Sequence, residues 1–115
     1  MSAPRRADYL RHMQEAVRLA QAHVAGMDGA AFLADAKTQQ AVVFNLIVLG
    51  EAATKLNAVD PAWVAAHPAL PWTALRGMRN RLAHGYFDIN WRLVWDTVQG
   101  DFPALAATLD ALIEP

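Results

Sequence analysis

Apolar residues recur every three or four positions over roughly 7–25, where Leu10, Met13, Val17, Ala20 and Val24 are interleaved with Arg11, Glu15, Arg18 and Gln21. That spacing gathers the apolar side chains into one stripe and predicts an amphipathic helix. Gly26 and Gly29 break the pattern, Phe32 and Leu33 suggest a short helical turn against the core, and Asp35 stands where a helix N-cap would. The second helix is expected over about 36–57. Its centre, AVVFNLIVLGEAA, is apolar on nearly every side. A helix of that kind needs cover all round, and in a chain of 115 residues the economical source of extra cover is a second copy.

Pro61, Pro68 and Pro71 mark a connector, with a short helical turn expected around 62–66. A third helix is expected over 72–84, with Gly85 in the C-cap position and Asn90 as N-cap of a fourth. In that last segment Trp91, Trp95, Val98, Phe102, Leu105, Leu109 and Leu112 follow one another at spacings of four and three, the mark of a packing seam. Pro103 interrupts the seam just after Gly100 and Asp101, which predicts a kink or restart capped by Asp101. Four main helices, short connections and no alternating strand pattern predict an all-α, antiparallel four-helix bundle, a single domain over residues 1–115 that pairs as a homodimer.

Composition narrows the chemistry. With 55% hydrophobic and 18% charged residues and a net charge of -1, the chain reads as globular. It contains no cysteine, so disulfides, thiolate nucleophiles and cysteine-based zinc sites are excluded. MSAPRRADYL lacks the apolar run of a signal peptide, and AVVFNLIVLG falls short of the ~20 residues that cross a bilayer. A cytoplasmic protein without a membrane partner is expected. His12 and His23 lie three turns apart on the first helix and cannot share a metal, and His67 stands alone in the proline-rich connector. Neither a metal nor another cofactor is expected. Trp91 and Trp95 fall on the seam and read as core, and Arg5, Arg6, Arg11 and Arg18 read as solvated surface cations.

Charge is nevertheless uneven. Residues 76–92 carry Arg76, Arg79, Arg81 and Arg92 against Asp88 alone, whereas residues 93–115 carry four acids and no cation. The cations cluster in RGMRNRLAHGYFDIN, residues 76–90. On a continuous helix Arg79 and His84 lie about 140° apart around the axis, while Asn80 and His84 share a face. A helix ending at Gly85 lets His84 turn away from the spiral, with Tyr86 just past the reversal. Guanidinium groups beside a histidine and a phenol suit phosphate chemistry: arginine binds phosphate bidentately, and histidine exchanges protons with the attacking or leaving oxygen.

Arg79, four residues, His84, one residue and Tyr86 match the Arg-x4-His-x-Tyr signature of the HepT family, in the HEPN superfamily of helical ribonucleases. IVLGEAATKL, the PW before LRGMRNRLAHGYF, VWDTV and DFPAL resemble that family along most of residues 7–113. The resemblance implies a metal-independent RNA endonuclease, the toxin of a type VII-like toxin–antitoxin pair. Its catalytic residues would be Arg79, holding the scissile phosphate, and His84, the general acid or base, with Asn80 positioning one of these groups or the RNA. The ribose 2′-hydroxyl would be the nucleophile. Glu51 has two readings, a salt bridge that fixes helix packing or a group that orients an active-site arginine. The resemblance also implies a homodimer with two motifs facing across a cleft, and an MntA-type nucleotidyltransferase antitoxin that transfers AMP to Tyr86. An alternative is a non-catalytic helical dimer that binds such a nucleotidyltransferase and nucleotides through the same arginines.

Overall fold

The computed structural model describes residues 3–113, the side chains of residues 3, 4 and 86 excepted, and all regular structure among them is helical. In chain order the elements are α1 (Ala3–His23), α2 (Gly29–Leu33), α3 (Ala36–Val59), α4 (Pro61–Ala65), α5 (Trp72–His84), a 3₁₀ turn (Tyr86–Asp88), α6 (Trp91–Gly100) and α7 (Phe102–Ile113). The four main helices expected from periodicity are α1, α3, α5 and the α6–α7 pair. The α6–α7 break falls at Gly100–Asp101, as the Gly-Asp-Phe-Pro sequence predicts. There the Asp101 N–H donates to the Thr97 carbonyl and the Asp101 carbonyl accepts from Leu105, so the junction is closed by backbone bonds.

Short polar side chains start the helices as expected. The Asp35 carboxylate accepts from the Thr38 N–H at 3.0 Å and from its hydroxyl at 2.7 Å. These two bonds, the backbone one first, hold the Asp35 carboxyl below its ordinary value. Asn90 accepts from Leu93 N–H at 3.0 Å and so caps α6. Asp28 and Asp60 do the same for the two five-residue helices, Asp60 with Pro61 at the first helical position.

α1 lies along α3 with its stripe of Leu10, Met13, Val17, Ala20 and Val24 buried, and α7 also packs on α1. α5 packs on α3, and α2 bridges α3 and α6, where Phe32 meets Trp95 and Trp91. Trp95 is buried in this contact, in keeping with its place on the seam. The connector is held by a second cluster. His67 stacks on Trp63 at 3.9 Å, Trp72 donates its indole N–H to the His67 carbonyl at 2.9 Å, and the Arg6 guanidinium covers Trp63 while bonding Asp60 at 2.9 Å. Arg6 is therefore not the free surface cation expected from sequence. Its partner lies 54 residues away, beyond the reach of local patterning.

The molecule measures 43 × 29 × 19 Å, about two helix diameters thick along its shortest axis. α3 is long and apolar enough by length and composition to cross a bilayer, and half of its most apolar stretch is buried inside the protein. The expectation of apolar character all round is met in part. Val42, Val43, Leu46, Leu49, Ala52, Ala53 and Leu56 are covered by the chain itself, whereas Ile47 and Val48 are half-buried and Phe44 is 66% exposed.

Candidate active site on the fifth helix

Arg79 is set in place by a glycine. A Cβ on Gly50 would come within 2.3 Å of the Arg79 Cβ and 2.7 Å of the Leu75 carbonyl oxygen. Contacts so short exclude any side chain, so Gly50 is what lets α5 lie directly on α3 at this level. The next residue, Glu51, then reaches Arg79: Arg79 Nε lies 3.4 Å from Glu51 Oε2, and Lys55 Nζ lies 3.6 Å from Oε1 of the same carboxylate. The Arg79 side chain is 22% exposed, and its buried Nε forms no hydrogen bond, so Glu51 holds it by charge rather than by a directed bond. The rest of the guanidinium has no hydrogen-bond partner among the described residues. The contact is the salt bridge between helices expected of Glu51, and it falls on Arg79 itself.

His84 is the last residue of α5, and Gly85 closes the helix by donating its N–H to the Arg81 carbonyl at 2.9 Å. Gly85 adopts φ -127°, ψ 33°, so the helix ends without the left-handed turn expected of a C-cap glycine. His84 accordingly stays on the helical spiral rather than turning away from it. It lies about 140° around the axis from Arg79, and helical geometry does not bring the two side chains together on one face. Asn80 and His84 do share a face, both exposed. Neither makes a hydrogen bond or ion pair within the described residues. Tyr86 opens the 3₁₀ turn, and its side chain lies outside the described residues.

The sequence reading passed over Arg76 as part of a general basic cluster. It is exposed, one turn before Asn80 and two before His84. The spacing of four and then four was the signal that could have singled it out. α5 carries no acidic residue, and the carboxylate on the adjoining part of α3, Glu51, is already shared between Arg79 and Lys55.

A groove of about 650 Å³ lies between α5 and α6–α7 and is lined by Met78, Arg81, Leu82, Leu93, Val94 and Leu105 among others. Arg79, Asn80, His84 and Glu51 are not among its lining residues. Arg81, Asp88 and Asp101 also line the groove, which thus carries charge of its own, while the candidate residues lie outside it. Among the described residues no three histidine or acidic side chains converge as metal ligands would.

Comparison with known proteins follows the same residues. The family model described as Ribonuclease HepT-like matches residues 13–112. A protein of Thermococcus cleftensis named "Probable ribonuclease HepT" is 34% identical over 105 residues, covering 91% of this chain and 93% of its own. One of Caldanaerobacter subterraneus, named "Putative RNase", is 29% identical over 114 residues, covering 99% of this chain and 97% of its own. No solved structure gives a significant match. The family match spans α3, its Gly50–Glu51 contact and the whole of α5, and the chain belongs to the HepT-like ribonuclease family.

Proposed function

We propose that this protein is a metal-independent RNA endonuclease acting through Arg79 and His84. The observation that carries the reading is the construction of α5. One arginine is anchored over a glycine by a carboxylate, and a histidine with no partner among the described residues stands exposed at the helix end, in a chain of the HepT-like ribonuclease family. In the reaction the ribose 2′-oxygen attacks the adjacent phosphorus and the bond from phosphorus to the 5′-oxygen breaks. His84 takes the 2′-hydroxyl proton or supplies one to the departing 5′-oxygen, and Arg79 neutralises charge that builds on the phosphoryl oxygens. Asn80, on the face of His84, positions the histidine or the strand, and Glu51 keeps Arg79 aimed. The products are a 2′,3′-cyclic phosphate, or the 3′-phosphate that follows from it, and a 5′-hydroxyl.

Because Arg79 and His84 diverge around α5, a homodimer with two motifs facing across a cleft supplies what one chain lacks, an arginine and a histidine pointing at one phosphate. The uncovered Phe44, Ile47 and Val48 on α3, in line with Glu51, support a dimer surface beside the site. In this reading the protein is a cytoplasmic toxin, its partner is an MntA-type nucleotidyltransferase, and AMP attached to Tyr86 silences it. Tyr86 follows His84 by two residues, so an AMP phosphate there would occupy the anion site and engage its arginines. The test is cleavage of single-stranded RNA by purified protein in EDTA, with His84→Ala as control and the product ends identified by mass spectrometry. Cyclic-phosphate ends that vanish with His84→Ala support the reading; cleavage that needs added magnesium overturns it. RNA binding without cleavage would favour the non-catalytic dimer.

A further inference from the structure

Besides Arg79 and His84, α5 carries Arg76 and Arg81, and Arg81 lines the groove towards α6–α7, which leaves Arg76 without an assigned part. Arg76, Asn80 and His84 follow one another at intervals of four, which puts them in a row that drifts about 40° per step, with Arg76 between Arg79 and Asn80 around the axis. All three are exposed, and Arg76 has no ion pair among the described residues. α5 has no acidic residue in its first turn and no side-chain cap, so nothing on the helix itself neutralises that end. Arg76 is the fifth residue of α5, just past its first turn, and no acidic residue lies on the helix to pair with it. Such a row suits a polyanion lying lengthwise along the helix.

We propose that Arg76 holds a backbone phosphate of the RNA substrate away from the cleavage point and so sets the register of the strand on α5. The inference rests on the ribonuclease reading and adds to it a direction: the strand runs along α5 from His84 towards the amino-terminal end of the helix. From Arg76 to His84 the rise is about 12 Å, more than one nucleotide step along a strand, so Arg76 touches a phosphate that is not the one being broken. It is a positioning residue, one that binds substrate without handling the reacting atoms. Arginine suits the task because its fork grips a phosphate through two parallel N–H bonds, which fixes orientation as well as charge.

Two substrates separate this role from a catalytic or structural one. A ribodinucleotide is too short to reach Arg76 from the cleavage point, whereas a longer oligoribonucleotide spans both. Arg76→Gln is expected to leave dinucleotide turnover and the melting temperature unchanged, and to raise KM for the longer RNA roughly fivefold, with kcat retained. With a fluorescent, fully 2′-O-methylated oligoribonucleotide, which cannot be cleaved, the variant should bind more weakly by the same factor. Its plot of log affinity against log salt should be shallower by about 0.7, the loss of one single-strand phosphate contact. Arg76→Lys should restore the salt slope, since the charge is kept, but only part of the affinity, since the fork is lost. Equal binding and equal KM in native protein and Arg76→Gln overturn the proposal, as does a parallel loss on both substrates. The binding measurement needs no turnover. If no RNA is cleaved by the native protein, the ribonuclease reading fails while the salt slope still decides whether Arg76 contacts phosphate.

Discussion

His84 and Arg79 differ in what their loss removes. His84 is exposed and has no hydrogen-bond partner among the described residues, so His84→Ala should lower kcat by about 10²–10⁴, the usual worth of a general acid or base, with stability within about 0.5 kcal/mol of native. Arg79 is only 22% exposed and lies on Gly50, so Arg79→Ala should lower both kcat, by about 10²–10³, and the melting temperature. Activity assays paired with thermal melts check both. If Arg79→Ala melts like the native protein, the α3–α5 contact does not depend on that side chain. The Arg-x4-His spacing singled out both residues as candidates. That one would be anchored and the other free was not legible, because the anchor, Glu51, lies 28 positions before Arg79 and meets it only through helix packing. Arg6 was missed for the same reason, since its charge is satisfied by Asp60 across the molecule.

At the scale of the element, the α3–α5 contact is set by the absence of a side chain at Gly50. Gly50→Ala should push α5 off α3, costing about 1–3 kcal/mol, and should also depress cleavage, because Glu51 then loses its reach to Arg79. Unchanged melting and activity in that variant would mean that the helices can separate without consequence. The start of α3 carries a pH signature. The Asp35 carboxyl is held below its usual 3.8 by its bonds from Thr38, so its contribution is fully present above that value and lost as pH falls through the lowered one. Asp35→Asn keeps the cap without the titration. Its melting temperature should differ from native by a constant amount near neutrality, and the gap should change only in strong acid. Helix positions were readable because periodicity, proline and cap residues all act within a few positions. The geometry of the end of α5 was not, since Gly85 allows a left-handed turn but does not compel one.

For the whole molecule, the prediction concerns the uncovered part of α3. Phe44, 66% exposed, stands beside half-buried Ile47 and Val48. If that patch joins two copies, light scattering should give a dimer at micromolar protein and a monomer for Phe44→Asp, with little change in helical content. A monomeric native protein would remove the facing-motif geometry proposed above. Sequence showed the excess apolar girth of α3 but overstated it, because no local pattern tells how much of a helix its own chain will cover.

Regarded as a network whose nodes are helices, the fold has one junction of unusual importance. α1, α2, α4 and α5 all pack on α3, while the principal contact of α5 is with α3 alone, and a groove separates it from α6–α7. α5 is thus close to a pendant vertex, joined to the other helices chiefly by one edge. Its opening need not disturb α1 or α7, so backbone amides of α5 should exchange with deuterium before those of α1 and α3. The same topology divides the tolerance of α5 in two: substitutions on its exposed face should leave the packing alone, whereas those at the edge with Gly50 or at the buried Leu75 and Leu82 should not.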